Sequence, residues 1–461
     1  MLHDHRSERA DRLVEGLAAV LAEPPSDPFT PEVVAVPAKG VERWVSQRLS
    51  HVLGVRVGGA DGVCANVLFP HPSRLVAEVV ARAAALEPDD DPWDPDRLVW
   101  PLLETVDSCA GEPWCATLAG HLGVADGTRP DRRGRRLAAA RHLAGLYDSY
   151  AAHRPRMLAD WADGRDTDGA AAPLPADLRW QAELWRRVRE RVGHASRAER
   201  LGPACARLEA EPALADLPDR LSLVGPTRLT TAQLRVIAAL GVHREVHLWL
   251  PHPSPALWDR VRGYGTEPAP VRRRADPTAA LPRNPLLAGL GRDARELQLV
   301  LARVRVDTDE HLRLGTAPPT LLGRVQQAVR DDLPHPAAAP WAPDRSLQVH
   351  ACHGPERQVE VLREVLVGLL ADDPTLEPRD VLVMCPDIEE FAPLISATFG
   401  LADDQDGAPH PGHRLRVRLA DRALRQTNPL LATVSALLDL ADARVTASQV
   451  LDLAASSPVR R

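Results

Sequence analysis

The chain is short of lysine, of aromatic residues and of every cysteine pattern that marks a metal or redox site. Lys39 is the one lysine among 56 basic residues, and aromatics make up 4% of the 461 residues. With abundant Ala and 43 Pro, the arginine skew is that of a GC-rich genome and carries no functional signal alone. The six cysteines (Cys64, Cys109, Cys115, Cys205, Cys352 and Cys385) include no Cys-x-x-Cys pair, which points to reduced, buried thiols. No apolar run nears the ~20 residues that span a bilayer, and the charged start MLHDHRSERADRL has no signal-like core. A soluble cytoplasmic protein without membrane contact is expected. The net charge of −7 gives no overall basic footprint, so any nucleic acid would be met by local patches.

Catalytic signatures are missing as well. There is no Gly-x-Ser-x-Gly elbow and no His-Glu-x-x-His. A phosphate-binding loop needs Gly-x-x-x-x-Gly-Lys-Ser/Thr, whereas Lys39 stands in Pro37-Ala38-Lys39-Gly40 and no second lysine exists to take the role. ATP hydrolysis by this chain is therefore not expected, and no cofactor is assigned to it. A nuclease site would need clustered carboxylates holding metal ions. Asp89, Asp90, Asp91, Asp94 and Asp96 in the stretch Glu87–Asp96 could chelate a cation, but their Pro-rich, unpatterned context reads as a solvated loop. His350, Cys352 and His353 are metal-ligand types, yet strand alternation would send His353 to the opposite face. His3 and His5 read as an exposed terminus.

What is there is organised around Ser346–Gly400. Leu347, Val349 and Ala351 alternate with polar residues as in a strand, Gly354-Pro355 opens a helix, and Val359, Leu362, Val365, Leu366 and Leu369 recur at helical spacing. Val381–Met384 then reads as a strand buried on both faces, which completes a β–α–β unit. Upstream, Leu13, Leu17, Val20 and Leu21 mark a helix after a short possible strand. Val33–Val36 marks a strand, and Val41, Trp44, Val45, Leu49 and Val52 mark a helix behind it. The loop between them is a common anion-binding position in open α/β sheets. From about Val76 to Leu217 the pattern turns helical, with one face at Leu137, Ala140, Leu143, Ala144 and Tyr147 and another at Trp180, Leu184, Val188 and Val192. Arg220–Gly225 and Glu245–Leu250 resume the sheet around a helix at Leu234–Leu240. Pro251–Pro285 and His335–Asp344 read as irregular linkers, and Asn428–Ala455 as helix. The expected fold class is α/β. A first domain of 1–345 has α/β parts at about 1–75 and 218–345 and a helical insertion at about 76–217; a second α/β domain occupies 346–461.

Seven blocks in this order resemble the RecC family, the gamma subunit of exodeoxyribonuclease V: Val33–Ser50, Leu68–Val76, Leu146–Trp161, Trp180–Trp185, Asn284–Leu301, Ser346–Gly400 and Asn428–Leu440. The resemblance implies helicase-like, superfamily 1-type (RecA-like) parallel-sheet domains that lack a working P-loop. It implies a subunit that splits double-stranded DNA ends, guides single-stranded DNA and reads the Chi signal for recombinational repair. RecB-like and RecD-like partners would supply ATP hydrolysis, Mg and nuclease chemistry. In the family the polypeptide continues well past Arg461, so a truncation inside the second domain is expected.

The local basic patches fit such a role. Arg129, Arg132, Arg133, Arg135 and Arg136 precede the Leu137 helix, Arg414, Arg416 and Arg418 alternate with apolar residues, and Arg272–Arg274 form a third run. Each run read alone is more simply a solvated face. The residues matching the family's DNA-contacting positions are Leu146, Asp148 and Arg154, and Arg197 with looser spacing. Arginine can fork onto phosphate or guanine, Asp148 can accept from a base amine, and Leu146 can pack on a base. The intramolecular alternative pairs Asp148 with Arg154. This sequence departs from the family where neutral polar residues give way to Pro37, Lys39 and Arg43, and where His71 replaces an apolar residue. These swaps put the signal sequence in question. Two other readings are a self-contained helicase or nuclease of the AddB type and a scaffold that never touches DNA.

Overall fold

The computed structural model describes every residue except 26, 56–58, 60–61, 124–132, 171, 265–270, 338–343, 400–414, 420–427, 443–444, 457 and 460–461. The chain divides into two compact units, Met1–Pro37 with Val41–Asp344, and Ala38–Gly40 with Arg345–Arg461.

The first unit is built on a six-stranded sheet of β1 (Leu2–Ser7), β2 (Glu32–Ala35), β3 (Val67–Leu68), β4 (Arg220–Val224), β5 (Glu245–Pro251) and β6 (Thr308–His311). The strand order is β3-β2-β4-β5-β1-β6 and every pairing is parallel. Continuous apolar runs make this possible, because a parallel sheet is buried on both faces. Val33, Ala35, Leu221, Leu223, Val246 and Leu248 enter one core, while Val34, Val36, Val224 and Trp249 enter the other. Helices α1 (Ala10–Leu21) and α2 (Lys39–Ser50) cover the second face, and α3 (Pro72–Ala83) covers the first. Only three residues separate β2 from α2, which leaves no room for a P-loop. The fold is α/β and helicase-like, as its sequence resemblance implies.

Between β3 and β4 the chain forms a helical block of α4 (Pro95–Cys109), α5 (Ala116–Leu122), α6 (Arg133–His153), α7 (Pro155–Ala162) and α8 (Arg179–Val192). Its core holds Trp93, Tyr147, Trp161 and Trp185, with the Trp161 and Trp185 rings edge-to-face at 6.2 Å. Helices α9 (Arg197–Ala210) and α10 (Thr231–Gly241) return to the sheet; α11 (Pro255–Val261), α12 (Pro285–Leu290), α13 (Arg292–Leu301) and α14 (Leu321–Arg330) complete the unit. Two sequence expectations are corrected here. His3 and His5 lie in β1, where His5 stacks on Trp249 at 4.1 Å, because the polar start alternates with buried Leu2, Asp4 and Arg6. Pro251–Pro285 contains α11, whose Leu257, Trp258 and Val261 are buried. Pro255 starts this helix instead of breaking it.

The second unit contains α15 (Gly354–Asp372), α16 (Ile388–Phe399), α17 (Pro429–Asp442) and α18 (Ala447–Ala455). Val359, Ile395 and Phe399 form its small core, with Leu415 and Leu419 against it. The helix of the expected β–α–β unit is present, but the flanking segments are not strands. A strand exists through ladder bonds to a neighbour, and among the described residues Leu347–Cys352 and Val381–Met384 have none. Val349, Leu382 and Met384 are 92%, 84% and 86% exposed. Arg416 and Arg418 are exposed in a segment that forms no strand, and Arg414 lies outside the described residues.

Candidate nucleic-acid interface

Helix α6 carries the first candidate surface. Its apolar positions Ala140, Leu143, Ala144 and Tyr147 are buried in the block, which turns Arg135, His142, Ser149 and His153 outward at spacings of seven, seven and four. Pro155 disfavours helical geometry at Arg154, whose φ of −135° and ψ of 48° ends α6. Arg154 is exposed at this break, with Arg156 close behind it and Arg141 on a flank of α6. Among the described residues, the side chains of Arg135, Arg141, His142, His153, Arg154 and Arg156 make no hydrogen bond or ion pair. Most guanidiniums nearby do. Arg136 pairs with Asp107, Arg186 with Asp166 and Glu183, and Arg189 with Glu199. Of the other arginine runs, Arg272 pairs with Asp168 and Arg273 with Glu296, while Arg129 and Arg132 lie outside the described residues.

Asp148 and Arg197 are brought together, away from Arg154. Arg197 Nη1 donates to Asp148 Oδ1 at 2.5 Å and Arg197 Nε to Asp91 Oδ2 at 2.7 Å. Arg200 Nη2 donates to both Asp91 oxygens at 2.8 and 2.9 Å. Burial opposes charge on Asp91 and on Arg197, but their mutual bonds outweigh it: the carboxyl is held below its usual pKa and the guanidinium above. Asp148 therefore pairs with Arg197, not with Arg154, and Asp91 belongs to a buried network, not to a solvated acidic loop. The sequence shows Asp91 only as one carboxylate of an acidic stretch and gives Arg200 no role. The signal was Ser196-x-x-Glu199, a capping box that starts α9 and fixes Arg197 and Arg200 on its first turn.

Three of the remaining candidates, Lys39, Arg43 and His71, follow the carboxyl ends of β2 and β3. Lys39 opens α2 and is exposed, and Arg43 is exposed one turn on. His71 caps α3, its Nδ1 accepting from Ser73 N at 3.2 Å, so the exposed ring ends a helix where an apolar residue could not. Leu146 is half-buried on the block's core. Among the described residues no group of three or more His, Cys, Asp or Glu side chains could hold a metal ion. No helix among them is long and apolar enough to cross a membrane.

Comparison with known proteins follows the same lines. The family model described as RecC, N-terminal domain, matches residues 2–332. The chain is 52% identical to the RecBCD enzyme subunit RecC of Mycobacterium tuberculosis and to that of Mycolicibacterium smegmatis, each over its whole length and 41% of theirs. Against RecBCD enzyme subunit RecC of Escherichia coli it is 28% identical over 98% of this chain and 42% of that one. The chain thus spans about two fifths of the length of these curated relatives. The parallel sheet without a phosphate loop, its helical insertion and a family match over most of the sequence make this chain a member of the RecC family.

Proposed function

We propose that this chain serves a RecBCD-type helicase–nuclease as a non-motor subunit that guides DNA strands at double-strand breaks. The names of its relatives supply the complex. The observation that carries the DNA role is the outward face of α6 and the α6–α7 break, where six basic side chains make no hydrogen bond or ion pair among the described residues and only Arg156 feels a nearby carboxylate, that of Asp160. Arginines left unpaired in an acidic chain are available to phosphates. RecB-like and RecD-like partners would contribute ATP hydrolysis and cleavage. Of the candidate base contacts, Arg154 is open to a strand as it stands. Arg197 and Asp148 would have to exchange their mutual ion pair to read a base, and Leu146 offers only its exposed edge. Recognition of Chi is part of this proposal, as are Lys39, Arg43 and His71 as contacts along the strand path and the division into two helicase-like domains near residue 345.

The test is DNA-stimulated ATP hydrolysis and end unwinding by this chain, by its motor partners and by the mixture. Unwinding that needs the mixture supports the proposal. Hydrolysis by the purified chain alone would refute it.

A further inference from the structure

Helix α4 turns a large aromatic side chain to solvent. Trp100 is 63% exposed, whereas Trp93, Trp161 and Trp185 of the same block are buried. Its indole makes no hydrogen bond or ring contact among the described residues. A single exposed apolar side chain is ordinary on a protein surface, so its place decides what it means.

Two sets of ion pairs fix how α4 lies on α6. Asp107, near the end of α4, pairs with Arg136 in the first turn of α6. Asp94, just before the start of α4, shares Arg197 with Asp148, which is late in α6. The two helices are therefore antiparallel neighbours. Trp100 stands two turns before Asp107 on the same side of α4. Two turns on from Arg136, α6 has reached the stretch from His142 to Leu146, so the indole is level with the middle of the outward α6 face.

Charge distinguishes the two helices. Arg135 and Arg141 on α6, with Arg154 and Arg156 at its end, make no hydrogen bond or ion pair among the described residues. The side of α4 around Trp100 carries Asp96, Glu104 and Asp107 instead, of which Glu104 is paired with Arg191 and Asp107 with Arg136. A strand following the arginines would lay its phosphates along α6 and away from Asp96. Its bases would then face α4, where the open surface is an indole.

We propose that Trp100 is the base-stacking platform of this surface: one base of a single strand stacks on the indole while the flanking phosphates lie on the α6 arginines. This rests on the DNA reading above and adds to it a residue and an orientation of the strand. Because every base has a π face, the contact supplies affinity for bases without selecting among them.

The test compares the whole chain with its Trp100→Ala and Trp100→Phe variants. Each is titrated by anisotropy with a fluorescein-labelled oligothymidylate and with an abasic oligomer of equal length, whose tetrahydrofuran units keep every phosphate and remove every base. Wild type should bind the oligothymidylate more tightly. Trp100→Ala should lose roughly fivefold or more of that affinity, the effect of one lost stack, and none for the abasic oligomer. Its salt dependence should match wild type, since no phosphate contact is removed. Trp100→Phe should keep part of the preference, because a smaller ring still stacks. Ala is a strong helix former at an exposed position, so α4 tolerates the change. Salt-dependent binding with the same base preference in Trp100→Ala and wild type, or equal losses for the two oligomers, would overturn the stacking proposal and leave the DNA reading standing. Binding of neither oligomer by wild type would overturn both.

Discussion

Replacing Asp91 by Asn should be among the most damaging single-atom changes in the helical block. Arg200 is 9% exposed, its Nε and Nη1 have no acceptor, and the Asp91 carboxylate is its sole partner. Asn would leave that guanidinium buried and uncompensated, a situation that costs ~3–5 kcal/mol. Arg197 would keep Asp148 and Asp94. The matched control is Asp148→Asn. The Asp148 side chain is 38% exposed, so solvent screens its bond to Arg197 and the expected loss is under ~1 kcal/mol. Amide hydrogen exchange in the first turns of α4 and α9 reads both changes in the intact chain, without assuming that the two units unfold together. The pH dependence follows from the sign. Asp91 is depressed below its ordinary value of 3.8, so its stabilisation is complete above that value and fades as pH falls through the lower native one. Wild type and Asp91→Asn should therefore converge in strong acid. Equal losses from the two substitutions near neutral pH would refute the reasoning, since burial of Arg200 would then carry no energetic weight.

Asp4 is the opposite case. Burial first, then Asp309, raises its pKa from 3.8 to about 7, so this carboxyl loses the fold stability as pH rises through that window. Asp4→Asn should gain on wild type by about 2.5 kcal/mol between about pH 5 and pH 7, measured by urea titration; a pH-independent difference would contradict this. Trp185 is fully buried against Trp93 and Trp161, and its Nε1 has no acceptor. Trp185→Ala should cost ~3–5 kcal/mol and Trp185→Phe distinctly less, because Phe refills most of the space and removes the orphaned N–H.

Where apolar residues repeat, the sequence shows the structure well. The Val33–Val36 and Glu245–Leu250 runs read as strands of the sheet and are β2 and β5, and the face through Leu137, Ala140, Leu143, Ala144 and Tyr147 is the one that α6 packs on the core of the block. Polar strands carry little of that signal: β1 reads only as a short possible strand and β6 does not read as one at all. β6 is Thr-Asp-Glu-His and is held by its pairing to β1, while β1 itself interleaves His3 and His5 with buried Leu2, Asp4, Arg6 and Ser7. In the second unit the same logic overreached, because alternation at Leu347–Ala351 shows only that a strand is possible and says nothing of a partner to bond. The ion network followed the same rule. Asp148 and Arg197 are 49 residues apart, and only the folded block shows that they meet and that Asp91 joins them. The unpaired character of the α6 cations was illegible for the converse reason: it depends on which carboxylates do not arrive.

The most direct test of the account is the salt dependence of single-strand binding by wild type and by a variant with Arg135, Arg141, Arg154 and Arg156 replaced by Ala. A fluorescein-labelled oligothymidylate would be titrated by anisotropy from low salt to ~0.15 M. The account expects wild type to bind with a steep loss of affinity as salt rises, and the variant to lose up to ~3 from the log–log slope, ~0.7 for each phosphate contact removed. Equal affinity and equal slope for the two proteins, with circular dichroism unchanged, would show that the open face of α6 does not carry DNA.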